Sequence, residues 1–272
     1  MKGSLSMKDL TFLKLGGSLI TDKDQPLTTR QEILTRLAKE IASARSINPG
    51  LPLLLGHGSG SFGHTAAKKH GTRLGVRTGG EWLGFAEVWK DARALNQVVI
   101  ETLQDSRLPV IAFPPSAAVI TRDGRLLRWD ISPIQAALSA GLIPLVNGDT
   151  VFDEQLGGTI LSTEDLFIFL AHQLHPRRIL LAGLEEGIWA DFPDCTQLID
   201  LITPENFPSI QGKISGSTSV DVTGGMLEKV RSMMDIVEQE PDFLSLIFSG
   251  LEPNNIRDAL LGSLPGTRLS AR

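Results

Sequence analysis

Apolar residues recur along this chain in two patterns, short unbroken runs and longer stretches with a single apolar face. Thr11-Phe12-Leu13-Lys14-Leu15 reads as a short strand that breaks at Gly16-Gly17, where glycine lets backbone amides turn toward a ligand. Thr29-Arg30-Gln31-Glu32 predicts a capping box for a helix with Ile33, Leu34, Leu37 and Ile41 on one face. Pro49-Gly50 closes that unit. Leu53-Leu54-Leu55 then reads as a buried strand opening into Gly56-His57-Gly58-Ser59-Gly60-Ser61-Phe62-Gly63-His64.

Gly71 to Gly80 is a glycine-rich loop carrying Arg73 and Arg77. It precedes a long helix from Glu81 to about Gln104, whose Phe85, Val88, Ala92, Leu95, Val99 and Leu103 share a face. Pro109 to Phe113 predicts a strand, and Val119 to Leu127 a hairpin around Asp123-Gly124, set apart from the main sheet. A short helix at Pro133 to Ala140 leads to a strand at Ile143 to Val146 ending in Asn147-Gly148-Asp149. A second hairpin is expected to turn at Gly157-Gly158. A helix starts from Ser162-Thr163-Glu164-Asp165, and Arg178 to Gly183 repeats the strand-then-glycine theme. A helix after Gly224-Gly225, a strand at Phe243 to Phe248, a helix near Asn255 to Leu260 and a closing strand complete the chain.

Strands and helices that alternate in this way imply an α/β fold with a mainly parallel sheet covered on both faces, its ligands at the carboxyl ends of the strands. The glycine turns fall at those ends. The expected organisation is a single domain over 1–272, divided near residue 176 into an acceptor-binding lobe, 1–176, and a nucleotide-binding lobe, 177–272, with no flexible linker between them.

Composition narrows the class. The chain has 272 residues and 42% hydrophobic content, enough to bury a substantial core. A net charge of −5 argues against nonspecific nucleic-acid binding, so a ligand site must supply its own positive charge. The single cysteine, Cys195, forms no internal disulfide and suits a reduced, cytoplasmic setting. No run approaches the roughly 18 apolar residues needed to span a membrane, so no membrane partner is expected.

The turn after Leu55 is a natural phosphate site, because glycine permits close approach and the following helix start carries partial positive charge. Its Gly58, Gly60 and Gly63 spell a literal dinucleotide fingerprint. The acidic residues at a suitable distance, Glu81 and Glu87, fall instead in a helical pattern where no ribose-binding carboxylate belongs. A Walker A loop is absent. Lys14, Lys23 and Lys229 lie beside glycine turns and can converge at strand ends, an inventory suited to phosphoryl transfer. Trp82, Phe85 and Trp89 read either as the wall of an apolar pocket or as the core of an amphipathic helix. His57 reads as structural, and His172 with His175 lacks a third metal ligand nearby.

Three segments in this order, Lys14-Leu15-Gly16-Gly17-Ser18 with Lys23, the glycine loop ending in His64, and Asp221-Val222-Thr223-Gly224-Gly225-Met226 with Lys229, resemble the amino-acid kinase superfamily, specifically the isopentenyl phosphate kinases. The resemblance runs over nearly the whole chain. It implies a three-layer αβα sandwich, a homodimer, ATP with Mg2+ held mainly by the nucleotide phosphates, and a small phosphorylated acceptor such as isopentenyl phosphate.

It also implies roles. Lys14, Lys23, Lys229, Asp165 and His64 would be catalytic, with Asp165 holding the lysines in place and His64 donating to the acceptor phosphate. Gly16, Gly17, Ser18, Gly60, Gly183, Gly224, Gly225 and Lys229 would bind nucleotide. Gly58, Ser59, Gly60, His64, Trp82, Phe85 and Gly158 would bind the acceptor. The sequence departs from the family at Ser59, where glycine is usual, and around Gly183 to Asp194, which departs from its Asp-Gly-Val-Tyr pattern. A fosfomycin-type phosphonate kinase resembles the chain in the same lysines and histidine, and a noncatalytic nucleotide-binding sensor or storage protein would use the same scaffold.

Overall fold

A computed structural model describes residues 9–214 and 225–272; of His64 it describes the backbone only. The strands are β1 (Thr11–Leu15), β2 (Leu53–His57), β3 (Val110–Ala112), β4 (Val119–Arg122), β5 (Arg125–Trp129), β6 (Ile143–Asn147), β7 (Asp149–Asp153), β8 (Gly157–Leu161), β9 (Arg178–Gly183), β10 (Leu201–Ile202), β11 (Leu244–Ser249) and β12 (Thr267–Ser270). The α-helices are α1 (Gly17–Ile20), α2 (Gln31–Ile47), α3 (Gly60–His70), α4 (Gly79–Asp105), α5 (Ser132–Ser139), α6 (Thr163–Leu174), α7 (Phe207–Ile214), α8 (Gly225–Gln239) and α9 (Asn255–Leu261).

Eight strands form the main sheet in the order β10-β12-β11-β9-β1-β2-β6-β3. Neighbours are parallel throughout except β11 with β12. Alternate residues along each strand feed two separate cores. Phe12, Leu54 and Ile179 pack with α5, α6 and α8, whereas Leu13, Leu53, Leu55 and Leu180 pack with α2, α4 and α9. Burial on both faces explains why these strands read as unbroken apolar runs. The result is the expected αβα sandwich. One sheet serves residues on both sides of position 176, because β1 pairs directly with β9.

The hairpins do sit apart, in a second sheet ordered β5-β4-β7-β8. Its two turns share one carboxylate. Asp153 accepts the amides of Asp123 at 3.1 Å and Gly124 at 2.9 Å, and those of Gln155 and Leu156 at 2.8 Å. Burial alone would raise its pKa, but the Leu156, Gly124 and Gln155 amides outweigh it and hold the carboxyl well below the usual range. This bonding also corrects the expected turn at Gly157-Gly158. The chain reverses at 154–156, and the two glycines begin β8.

The capping box expected at Thr29 does not form. Arg30 is the N-cap of α2 without a side-chain bond, because Thr29 is drawn into a bridge with Thr21 and the Arg30 amide bonds Ile20 O at 2.8 Å. The long helix starts two residues earlier than expected, with Thr78 and Glu81 forming its capping box.

Candidate active site

Two glycine turns meet at the carboxyl ends of the neighbouring strands β1 and β2. Gly16 is anchored by its amide to Ala182 O at 2.8 Å, and Gly58 by its amide to Leu15 O at 3.0 Å. A Cβ added to Gly17 would lie 2.4 Å from the Gly60 amide nitrogen, so the turns touch backbone to backbone. Gly60 takes a φ of +48°, which redirects the chain into α3. Among the described residues, the N–H groups of Gly17, Ser18, Ser59 and Gly60 find no backbone acceptor. Such a group of amides at two helix starts favours an anion.

Lys14 reaches into the same region. Its neighbour on β2 is Gly56, and a Cβ there would come within 2.6 Å of Thr163 and 2.7 Å of Phe167. The glycine therefore lets the first turn of α6 settle over the sheet. That turn brings Glu164 Oε1 to 2.5 Å from Lys14 Nζ and 4.0 Å from Lys229 Nζ. Burial would raise the Glu164 pKa, but Lys14 and Lys229 outweigh it and hold the group ionised, below its ordinary value. One carboxylate thus keeps two ammonium groups side by side.

This arrangement corrects the assignment of that role to Asp165. The Asp165 carboxylate turns back on its own helix start, accepting the Ser162 amide at 2.8 Å and the Ser162 hydroxyl at 2.7 Å in a capping box. Neighbours on a helix point about 100° apart, so only one of them can face the lysines. The signal was present in the sequence: Ser162 three residues before an acid marks Asp165 as a capping residue.

A cleft of about 670 Å³ joins these parts, and Lys14, Gly16, Gly17, Ser18, Lys23, Gly58, Ser59, Gly60, Gly183 and Lys229 all line it. His64 is the fifth residue of α3, which begins at the cleft. Gly225 opens α8 with a φ of +67°, one residue before Met226, which lines the cleft. Gly224 lies outside the described residues, as do Asp221, Val222 and Thr223. Ile188, Trp189, Phe192, Ile214, Met226 and Ile247 also line the cleft and give it a largely apolar stretch of wall.

Trp82, Phe85 and Gly158 do not line the cleft. Trp82 packs against Phe85 and Phe152 with ring centroids 5.3 and 6.0 Å apart, and Phe85 lies over Gly158, whose Cβ would meet it at 2.8 Å. The aromatic rings are filling the gap between α4 and the small sheet, the helix-core alternative. Trp89 instead bonds the Ser116 hydroxyl at 3.2 Å.

His57 is buried under the glycine turn, its ring nitrogens 3.0 Å from Asn96 Oδ1 and 3.1 Å from Gly58 O. Burial lowers its pKa against the opposing effect of the Asn96 and Gly58 contacts, and its place beneath the turn is a structural one. No group of three metal-ligating side chains occurs among the described residues. His175 pairs with Glu240 at 2.9 Å.

Asp149 is a buried acid missed by the sequence reading as more than a strand end. It follows Gly148, which lines the cleft, and accepts the amides of Thr150 at 2.8 Å and Ser116 at 3.2 Å. Burial dominates those bonds and pushes its pKa up to about 6. The native state therefore binds this proton more tightly than the unfolded chain, and the associated stability is lost as pH rises from about 4 to about 6. The loss amounts to about 3 kcal/mol from a shift of about two units. Urea unfolding of the parent and Asp149→Asn is expected to show the variant gaining on the parent across that window. A constant difference from pH 4 to 7 would contradict it.

The amino acid kinase family model matches residues 9–242. Isopentenyl phosphate kinase from Methanocaldococcus jannaschii is 35% identical over 96% of this chain and 98% of its own length. The enzyme of the same name from Methanothermobacter thermautotrophicus is 33% identical over 97% of this chain and 100% of its own. A solved isopentenyl phosphate kinase structure superposes with a TM-score of 0.80 at 30% identity, covering 96% of this chain and 100% of that one.

Proposed function

Because the chain belongs to the amino acid kinase family and, within it, to the isopentenyl phosphate kinases, we propose that it transfers the γ-phosphoryl group of ATP to isopentenyl phosphate, forming isopentenyl diphosphate. The observation that carries this reading is the Lys14–Glu164–Lys229 group beside two amide-rich glycine turns. An oxygen of the acceptor phosphate bonds to the γ-phosphorus as the bond to the ADP oxygen breaks. Phosphate is already ionised at neutral pH, so no base need remove a proton.

Charge on the transferring group is met by Lys14 and Lys229, fixed before reaction by Glu164, and by the amides of Gly17, Ser18, Ser59 and Gly60. Lys23, on the loop between α1 and α2, adds a further cation to the cleft lining. His64 orients the acceptor phosphate. In this reading the apolar residues Ile188, Trp189 and Ile247 receive the nucleotide base, with nucleotide on the 177–272 side and acceptor on the 1–176 side. An isoprenoid tail lies along Ile160 and Leu161 of β8, which line the cleft.

The donor set suits Mg2+ carried by phosphate oxygens, since the Glu164 carboxylate in the cleft is bonded to Lys14 and, among the described residues, no group of three metal-ligating side chains occurs. When bound, the ion neutralises phosphate charge. The reading includes a homodimeric, cytoplasmic enzyme. Among the described residues no helix is long and apolar enough to cross a membrane.

Phosphorus NMR of the protein with Mg-ATP and isopentenyl phosphate is expected to show new diphosphate resonances together with ADP, both lost in Lys14→Ala. Unchanged isopentenyl phosphate despite ATP binding would overturn the reading, and turnover of a phosphonate acceptor in its place would redirect it.

A further inference from the structure

The two glycine turns are held together by one side chain outside either of them. Thr21, fully buried at the end of α1, donates its hydroxyl hydrogen to Gly17 O at 2.8 Å and accepts the Ser61 amide at 3.0 Å. Its Oγ1 occupies the space beside Gly60, only 2.0 Å from where a Cβ on that residue would sit. The backbone of Thr21 pairs with Thr29, closing the loop that carries Lys23 into the cleft. A single residue therefore joins the β1 turn and the start of α3 through its hydroxyl and the base of the Lys23 loop through its backbone.

We propose that Thr21 is a positioning residue for phosphoryl transfer, setting the separation between the turn that follows β1 and the turn that follows β2. The inference rests on the kinase reading above. Its chemistry is geometric. The β1 turn and the β2 turn face the two phosphates that must meet in line, and misplacement by about 1 Å can cost about 100-fold in rate. By consuming the Ser61 amide, Thr21 also leaves the Ser59 and Gly60 amides as those directed at the ligand. Removing its hydroxyl leaves both turns intact and still joined by the Gly58 amide to Leu15 O, but takes away the bridge between Gly17 and Ser61 that sets their separation. A loss in turnover, not in nucleotide affinity, should follow, because nucleotide contacts on the β9 and α8 side are untouched.

The test compares Thr21→Val, which keeps the shape without the hydrogen bonds, and Thr21→Ser, which restores the hydroxyl. With isopentenyl phosphate and Mg-ATP, Thr21→Val is expected to lose about 10- to 100-fold in kcat while KM for ATP changes less than about 3-fold, and Thr21→Ser is expected to recover most of the rate. Hydrogen exchange at the Ser61 amide supplies a readout independent of turnover, fast in Thr21→Val and slow in the parent and Thr21→Ser. Equal kcat in parent and Thr21→Val, or equal losses in both variants, would overturn the positioning role. Should Thr21→Val not fold, Thr21→Ser and Thr21→Ala carry the same comparison. A parent that turns over no isopentenyl phosphate but shows the expected Ser61 exchange pattern would fail the kinase reading while leaving the structural tie between the turns in place.

Discussion

Glu164→Gln is expected to lower turnover by about 100- to 1,000-fold, a loss comparable to removing a donor aimed directly at the transition state. The amide keeps the size and part of the hydrogen bonding of the carboxylate but removes its charge. Lys14 and Lys229 then lose the negative charge that both share at Glu164, and the repulsion between the two ammonium groups rises. Breaking a buried pair by removing one partner also costs about 3 to 5 kcal/mol of stability, so the variant should unfold at lower denaturant. Asp165→Asn supplies the control. It weakens the α6 capping box, typically by about 1 kcal/mol, yet leaves the lysines paired, and its turnover should stay within about 3-fold of the parent. Steady-state kinetics with urea unfolding on both variants checks the pair. The reverse ranking would return the lysine-holding role to Asp165.

Gly17→Ala is expected to be strongly damaging for the addition of a single methyl group. The new Cβ would sit 2.4 Å from the Gly60 nitrogen and 2.7 Å from its Cα, backbone atoms that cannot swing aside. The turns must separate, at a typical cost of about 1 to 3 kcal/mol for overpacking, and turnover should fall about 100-fold as the phosphates lose alignment. Gly183→Ala makes the useful contrast. It also lines the cleft, but a Cβ there meets nothing within 4 Å, so its unfolding midpoint should match the parent. If Gly17→Ala were equally stable and active, the contact between the turns would not govern the reaction.

Much of this was legible in order along the chain. Apolar runs such as Leu53-Leu54-Leu55 and Ile143 to Val146 became strands of the parallel sheet, because burial on both faces demands that composition. The amphipathic repeat from Phe85 to Leu103 became α4. Glycine pairs after strands marked the ligand end, since only glycine permits the contact seen between Gly17 and Gly60. Lys14, Lys23 and Lys229 were identifiable by residue type beside those turns, and all three reach the cleft.

Other features depended on directions that a linear pattern does not contain. Glu164 and Asp165 are adjacent and chemically alike, and α6 docking over Gly56 decided which acid meets the lysines and which caps the helix. Trp82 and Phe85 had the right chemistry for a pocket wall, but Phe152 and Gly158, distant in sequence, gave them a packing site off the cleft. Thr21 carried no signal at all, because its importance lies in two bonds to residues 4 and 40 positions away. The sequence by itself determined the layers, the glycine turns and the stock of cations, all consequences of local periodicity and residue type. Only the tertiary structure decided which side chains face one another across the cleft, because that follows from helix rotation and from how closely backbones can approach.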